Sequence, residues 1–110
     1  MEFISGNIFI REMRFEQAGQ QVNGHGHKFD HTTYVAKGAF LIEHLNEKGE
    51  VLKSVVKRAS EGRNWVLIKA GAVHRITALE DHTLAHCIYS HRTSQGDVVQ
   101  EWNGWLEATW

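Results

Sequence analysis

Three histidines stand within the stretch GHGHKFDH at positions 24–31. His25, His27 and His31 are separated by even numbers of positions, and side chains on a β-strand alternate between its two faces. On a continuous strand the three imidazoles would project from one side, where they would begin a site for a divalent transition metal. Asp30 has the opposite parity, so we expect its carboxylate to point away. A polar, glycine-rich turn with solvated histidines is the alternative that spacing alone leaves open.

Glycines flank these histidines at informative separations. Five residues separate Gly19 from His25, and six residues separate His31 from Gly38. A glycine, a His-x-His pair, a further ligand position and a second glycine at these distances resemble the first motif of the cupin superfamily. This resemblance favours the metal site over the solvated turn.

A second motif follows at the expected distance. Gly62 leads through RNWVLI to the turn KAG at 69–71, and His74 stands three positions after the glycine of that turn. This arrangement resembles the second cupin motif, and the segment 39–61 corresponds to the hairpin expected between the two motifs. Together the motifs cover residues 19–74, about half of the chain.

The resemblance implies an all-β fold, with a single cupin domain over 1–110 built as a double-stranded β-helix or jelly-roll barrel. It also implies a metal site with four histidine ligands, namely His25, His27, His31 and His74. The cofactor is then a divalent transition metal, and the ligands do not select among iron, manganese, zinc, nickel and copper. A purely structural zinc site is the alternative, although structural zinc usually has cysteine ligands.

The sequence departs from the family pattern at three positions. Lys69 replaces the turn proline, Ala78 replaces an asparagine often found after the second motif, and His31 stands where the family usually has a glutamate. The last change alters the charge of the site. Three histidines and a carboxylate lower the net charge of a bound divalent ion by one unit, whereas four neutral imidazoles leave it unchanged. A site with four neutral imidazoles therefore favours anionic ligands.

The rest of the chain reads as short strands separated by Gly, Asn and charged turns. The predicted strand segments are 7–15, 32–45, 50–58, 64–70, 73–79 and 82–92, and this spacing favours a sandwich or barrel. The tail breaks the pattern, because Val98, Trp102, Trp105 and Leu106 fall near helical spacing. We expect a short C-terminal helix there, although Gly104 disfavours it.

Two further histidines are candidates for catalysis. His44 follows Ile42 at strand spacing, so we expect it on the inner face near the mouth of the barrel, as a proton donor or acceptor. His86 alternates with Leu84 and Ile88, so it too is expected to point inward and to support a metal ligand. A hydrogen-bonded or partly exposed histidine is the alternative at both positions. Cys87 has the opposite parity and is expected to be buried and inert.

Composition limits the possible partners. The chain has 110 residues, 42% hydrophobic residues and a formal net charge of -1, which gives no electrostatic reason to expect nucleic acid or an anionic membrane. It shows no secretory signal and no apolar run of about 18 residues. Its single cysteine does not indicate an oxidising compartment, so we expect a cytoplasmic protein. The tryptophans, including Trp65 and Trp110, suit core packing or a homodimer interface.

These observations favour a metal-dependent enzyme that acts on a small oxygenated molecule. Dioxygenase-like chemistry is favoured, because an all-histidine site resembles those of small dioxygenases in the family. One alternative is a redox-neutral isomerase or lyase acting on a sugar or keto acid, with His44 or His86 as the general base. The other is a cupin that binds a small molecule without catalysis, since a fold does not fix a function.

Overall fold

The structure is a computed structural model that describes residues 1–23 and 28–98. Within those ranges the chain forms nine β-strands and no helix. The strands are β1 (Glu2–Ser5), β2 (Ile8–Phe15), β3 (Gln21–Asn23), β4 (His31–Lys37), β5 (Ala39–Leu45), β6 (Val51–Arg58), β7 (Trp65–Ile68), β8 (Val73–Ala78) and β9 (Thr83–Ser90). The all-β fold predicted from the sequence is confirmed.

The strands form two antiparallel sheets. One has five strands in the order β1-β2-β9-β4-β7, and the other has four in the order β3-β8-β5-β6. Only the β1–β2 and β5–β6 connections join strands of the same sheet that pair directly, while the other connections cross between sheets. The predicted segment 32–45 is divided in this way, because Gly38, with a φ of 80°, directs β4 and β5 into different sheets.

The core lies between the two sheets. Val35, Phe40 and Ile76 are fully buried, and burying each side chain contributes roughly 1.5–3 kcal/mol. The inward residues alternate with partly exposed ones along β4 and β8, as expected for strands covered on one face. The buried apolar cluster comprises Met13, Phe15, Val35, Phe40, Ile42, Ile68, Ile76, Ala78, Ala85 and Cys87.

Strand β9 places His86 on the outer face of its sheet, so the expectation that it points inward is wrong. Ala85 and Cys87 are the buried residues of this stretch, at 0% and 7% exposure. Leu84 and Ile88 lie on the outer face with His86. Because β9 carries apolar residues on both faces, alternation alone does not identify its inner side.

Some expectations concern residues that the structure does not describe. The predicted C-terminal helix lies almost entirely within 99–110, outside the described residues, as do Trp102, Trp105 and Trp110. Trp65 is described and is 51% exposed on β7, so it is not part of the core. Within 1–23 and 28–98, no helix is long and apolar enough to cross a membrane.

Candidate functional site

His31 and His74 approach each other from opposite sheets. His31 begins β4 in the five-stranded sheet, and His74 lies on β8 in the four-stranded sheet. Both are buried, at 3% and 7% exposure, and their ring centroids are 5.4 Å apart. The two imidazoles that the sequence separates by 42 residues are therefore neighbours in the interior.

The turn between β7 and β8 fixes the chain just before His31. The Asp30 carboxylate accepts a hydrogen bond from the Ala70 backbone N–H at 2.8 Å and lies 3.5 Å from the Lys69 ammonium. The hydrogen bond from Ala70, followed by the charge of Lys69, lowers the pKa of Asp30. Asp30 is thus bound to this turn, while the next residue enters the core.

The strand that carries His31 begins at that residue. Lys28 and Phe29 lie in a bend and Asp30 is not in a strand, so the premise of one continuous strand through positions 25–31 is wrong over its described part. Strand parity therefore does not relate His31 to the two histidines before it.

His25 and His27 lie outside the described residues. The last described residue before them is Asn23. It pairs across the sheet with Arg75, the neighbour of His74. Within the part of the chain that the structure describes, no group of three or more His, Cys, Asp or Glu side chains could hold a metal ion. The described half of the predicted ligand set, His31 and His74, consists of buried imidazoles, which are donors that suit a transition metal.

His44 lies directly beside His74. The two residues are register partners on β5 and β8, where opposite Cβ atoms are typically about 4.5–5.5 Å apart. His44 shares its face with the buried Phe40 and Ile42 and therefore lies on the inner face, while its role as a proton donor or acceptor stays a prediction. Its ring is half-buried and borders open space inside the molecule.

That space is a cavity of about 370 Å³ between β6 of one sheet and β7 of the other. Both His44 and His74 form part of its wall. The remaining lining residues are Ile42, Lys53, Ser54, Val55, Lys57, Val66, Leu67, Ile68, Lys69 and Ala72. The cavity thus joins an apolar wall to a polar end that contains histidine and lysine, which is typical of a small-molecule site.

Comparison with solved structures identifies the fold. The chain is similar to the capsular polysaccharide assembling protein CapF from Staphylococcus aureus, with a TM-score of 0.62 and 16% identity over 88% of this chain and 28% of that one. It is similar to KdgF from Halomonas sp., with a TM-score of 0.64 and 21% identity over 86% and 79% of the two chains. Oxalate decarboxylase OxdC from Bacillus subtilis gives a TM-score of 0.61 and 21% identity over 79% and 22%. These are cupin-fold proteins. The chain has the cupin fold.

Sequence comparison adds no closer relative. No family model matches the chain, and no curated protein matches it. The chain spans less than a third of the length of CapF. The cupin fold is therefore shown by the arrangement of the strands, and it agrees with the two motifs at 19–74 in the sequence.

An aromatic cluster of partly buried residues, which the sequence did not indicate, adjoins His31. The Tyr89 ring lies edge-on to His31, with centroids 6.3 Å apart, and it stacks on Phe9 at 4.7 Å. The ring centroids of Phe29 and Tyr89 are 4.8 Å apart. Burial, with the nearby charge of Glu2, raises the pKa of Tyr89. The sequence could have indicated that Tyr89 lies on the inner side of β9, because it has the same strand parity as Cys87, which was expected to be buried.

His86 and Cys87 are not among the residues that line the cavity. His86 stacks on Tyr34 with centroids 5.1 Å apart, and its Nε2 is 3.8 Å from a Glu12 carboxylate oxygen. Cys87 is buried as expected, and its Sγ lies 3.2 Å from the Thr33 hydroxyl. Burial raises the pKa of Cys87, so the thiol stays protonated and unreactive at neutral pH.

Proposed function

We propose that this chain is a metal-dependent cupin enzyme that acts on a small oxygenated molecule. The observation that supports the proposal is the approach of His31 and His74, two buried imidazoles 5.4 Å apart, next to a cavity. In this proposal His25, His27, His31 and His74 hold one divalent transition ion. When bound, that ion supplies Lewis acidity and polarises an oxygen atom of the substrate.

The residues of the chain divide the remaining tasks. His44 borders the cavity beside His74 and can accept or donate a proton at a ring nitrogen. Ile42, Val55 and Val66 line the cavity and exclude water from the carbon skeleton of a substrate. His86 has no part in this proposal, because it lies on the outer face.

Dioxygenase-like chemistry remains the favoured reaction. The alternative is a redox-neutral isomerase or lyase, for which the position of His44 supplies a general base. Oxygen consumption by the iron-loaded protein separates the two. A cupin that binds its ligand without catalysis would retain metal and ligand but show no turnover.

Metal content tests the site directly. Untagged protein, reconstituted and freed of excess metal, is expected to retain close to one equivalent by elemental analysis. His27→Ala and His74→Ala are expected to lose most of it. His86→Ala is the matched control and is expected to retain it, because its ring stacks on Tyr34 outside the cavity.

Two results would contradict the proposed metal site. In one, wild-type protein fails to retain metal after reconstitution. In the other, His86→Ala loses as much metal as His74→Ala, which would assign the metal to a histidine on the outer face of the sheet.

We further propose that two copies of the chain pair through the outer face of the five-stranded sheet. Trp65 and Leu67 on β7 are 51% and 54% exposed, and their neighbours in register on β4 are Tyr34 and Thr32. Exposed apolar surface of this kind is characteristic of interfaces, and twofold pairing brings the same face of both copies together.

A further inference from the structure

The cavity is rich in positive charge although the chain as a whole is not. Three lysines line it, and no Asp or Glu is among its described lining residues. The whole chain carries a formal net charge of -1. Cationic side chains are therefore concentrated at this cavity, where their field attracts anions.

Strand register explains how the lysines reach the cavity. On the inner face of the four-stranded sheet, Lys53 of β6 is the partner of His44, which is the partner of His74. Lys57 is opposite the buried Phe40, about 13 Å along β6 from Lys53 at roughly 3.3 Å per residue. The two ammonium groups thus belong to opposite ends of one apolar wall, with Val55 between them.

Strand β6 carries polar and apolar residues on both of its faces. Lys53 and Lys57 face the cavity, whereas Leu52 and Val56 on the other face are 59% and 42% exposed. A strand over a core ordinarily directs its aliphatic residues inward and its lysines outward. The two lysines on the cavity side depart from this rule and place cations where a bound ligand would lie.

The charges of these two lysines are not compensated within the described part of the chain. Lys69, the third lysine of the cavity, is 3.5 Å from the Asp30 carboxylate. In contrast, no carboxylate among residues 1–23 and 28–98 lies within ion-pair distance of Lys53 or Lys57. A cation beside an apolar wall gains most from an anionic partner that also covers that wall.

We propose that the cavity binds a small organic carboxylate, with Lys53 and Lys57 as the residues that select for the negative charge. The carbon skeleton lies against Ile42, Val55 and Val66. This inference rests on the proposed function in that it names the substrate class of the same cavity. The lysines act through their own charge, so the carboxylate also binds to metal-free protein.

Calorimetry on metal-free full-length protein tests the inference with two ligands of the same shape, hexanoate and hexanamide. Hexanoate is expected to bind at least tenfold more tightly than the neutral amide, and its affinity is expected to fall as salt is added. At least one of Lys53→Met and Lys57→Met, which keep an apolar stem, is expected to weaken hexanoate binding roughly tenfold, because the single carboxylate pairs with the lysine at one end of the wall. Neither is expected to change the weak binding of hexanamide.

Lys37→Met is the matched control, because Lys37 is exposed at the end of β4 and does not line the cavity. It is expected to bind hexanoate like wild type, and circular dichroism checks the fold of each variant. The inference is overturned if hexanoate and hexanamide bind equally, if neither binds, or if neither Lys53→Met nor Lys57→Met weakens hexanoate binding more than Lys37→Met does. Metal retention is measured separately, so a failure of the metal site and a failure of carboxylate binding give different results.

Discussion

At the scale of single residues, Gly38 is closely confined by its surroundings. Its φ is 80°, and it joins β4 of one sheet to β5 of the other. A Cβ atom placed there would contact the Thr83 hydroxyl and lie 3.0 Å from the Thr83 Cα. Thr83 is itself buried and donates a hydrogen bond to the Glu80 carbonyl at 2.8 Å. Neither side of this contact can easily move.

Gly38→Ala is therefore expected to destabilise the fold more than Gly49→Ala. Gly49 has nearly the same φ, 81°, but nothing lies within 4 Å of its added Cβ. Both substitutions place alanine in the left-handed region, at a cost of about 1–2 kcal/mol, and only Gly38→Ala adds the clash with Thr83. Urea unfolding is expected to show at least twice the loss for Gly38→Ala. Equal losses would mean that Thr83 moves aside at no cost.

Residue types and spacing predicted part of the candidate site. His74 could be placed from the second motif and His44 from its strand spacing after Ile42, and both line the cavity. Lys53 and Lys57 could not be recognised, because both faces of β6 carry polar and apolar residues, so the sequence does not indicate which face is inward. That choice is made by the pairing of β6 with β5, which depends on residues distant in sequence.

At the scale of elements, strands with one apolar face were predictable and the others were not. Strand β8 alternates cleanly and was located from the sequence to within one residue. Strand β9 is apolar on both faces, so the side facing the core was assigned wrongly. Strand β3 is three residues long with Val22 as its one apolar side chain, which is too short to give a period.

The proposed dimer, in which two copies pair through the outer face of β7, can be tested by substitution on that face. Leu67→Lys places a charge on the proposed interface, where burying it without a partner is costly, so the variant is expected to dissociate. Leu52→Lys is the matched control, since Leu52 is similarly exposed, at 59% against 54%, on the other sheet. Sedimentation velocity is expected to give twice the chain mass of 12.6 kDa for wild type and Leu52→Lys, and the single mass for Leu67→Lys. A wild type that sediments as a monomer, or dissociation in Leu52→Lys alone, would reject this interface.

At the scale of the whole molecule, the proposed metal site joins the two sheets. His31 belongs to the five-stranded sheet and His74 to the four-stranded sheet. An ion held by both imidazoles links two layers that otherwise meet through the apolar core. Metal binding and folding are then coupled, because the unfolded chain does not bring these two histidines together.

Addition of Mn²⁺ or Zn²⁺ is therefore expected to raise the Tm of the metal-free protein. A ligand present at 100 times its Kd stabilises the folded state by about 2.7 kcal/mol, which corresponds to a shift on the order of 10 °C for a domain of this size. The unfolded chain still contains three histidines within 25–31 and binds some metal, which reduces the shift.

What the folded state adds is His74 from the other sheet, so His74→Ala is expected to lose most of the shift while retaining weak binding. His86→Ala, a histidine substitution on the outer face, is expected to keep the full shift. If wild type binds metal with no change in Tm, the ion is held by the 25–31 segment alone and the two sheets are not linked through it.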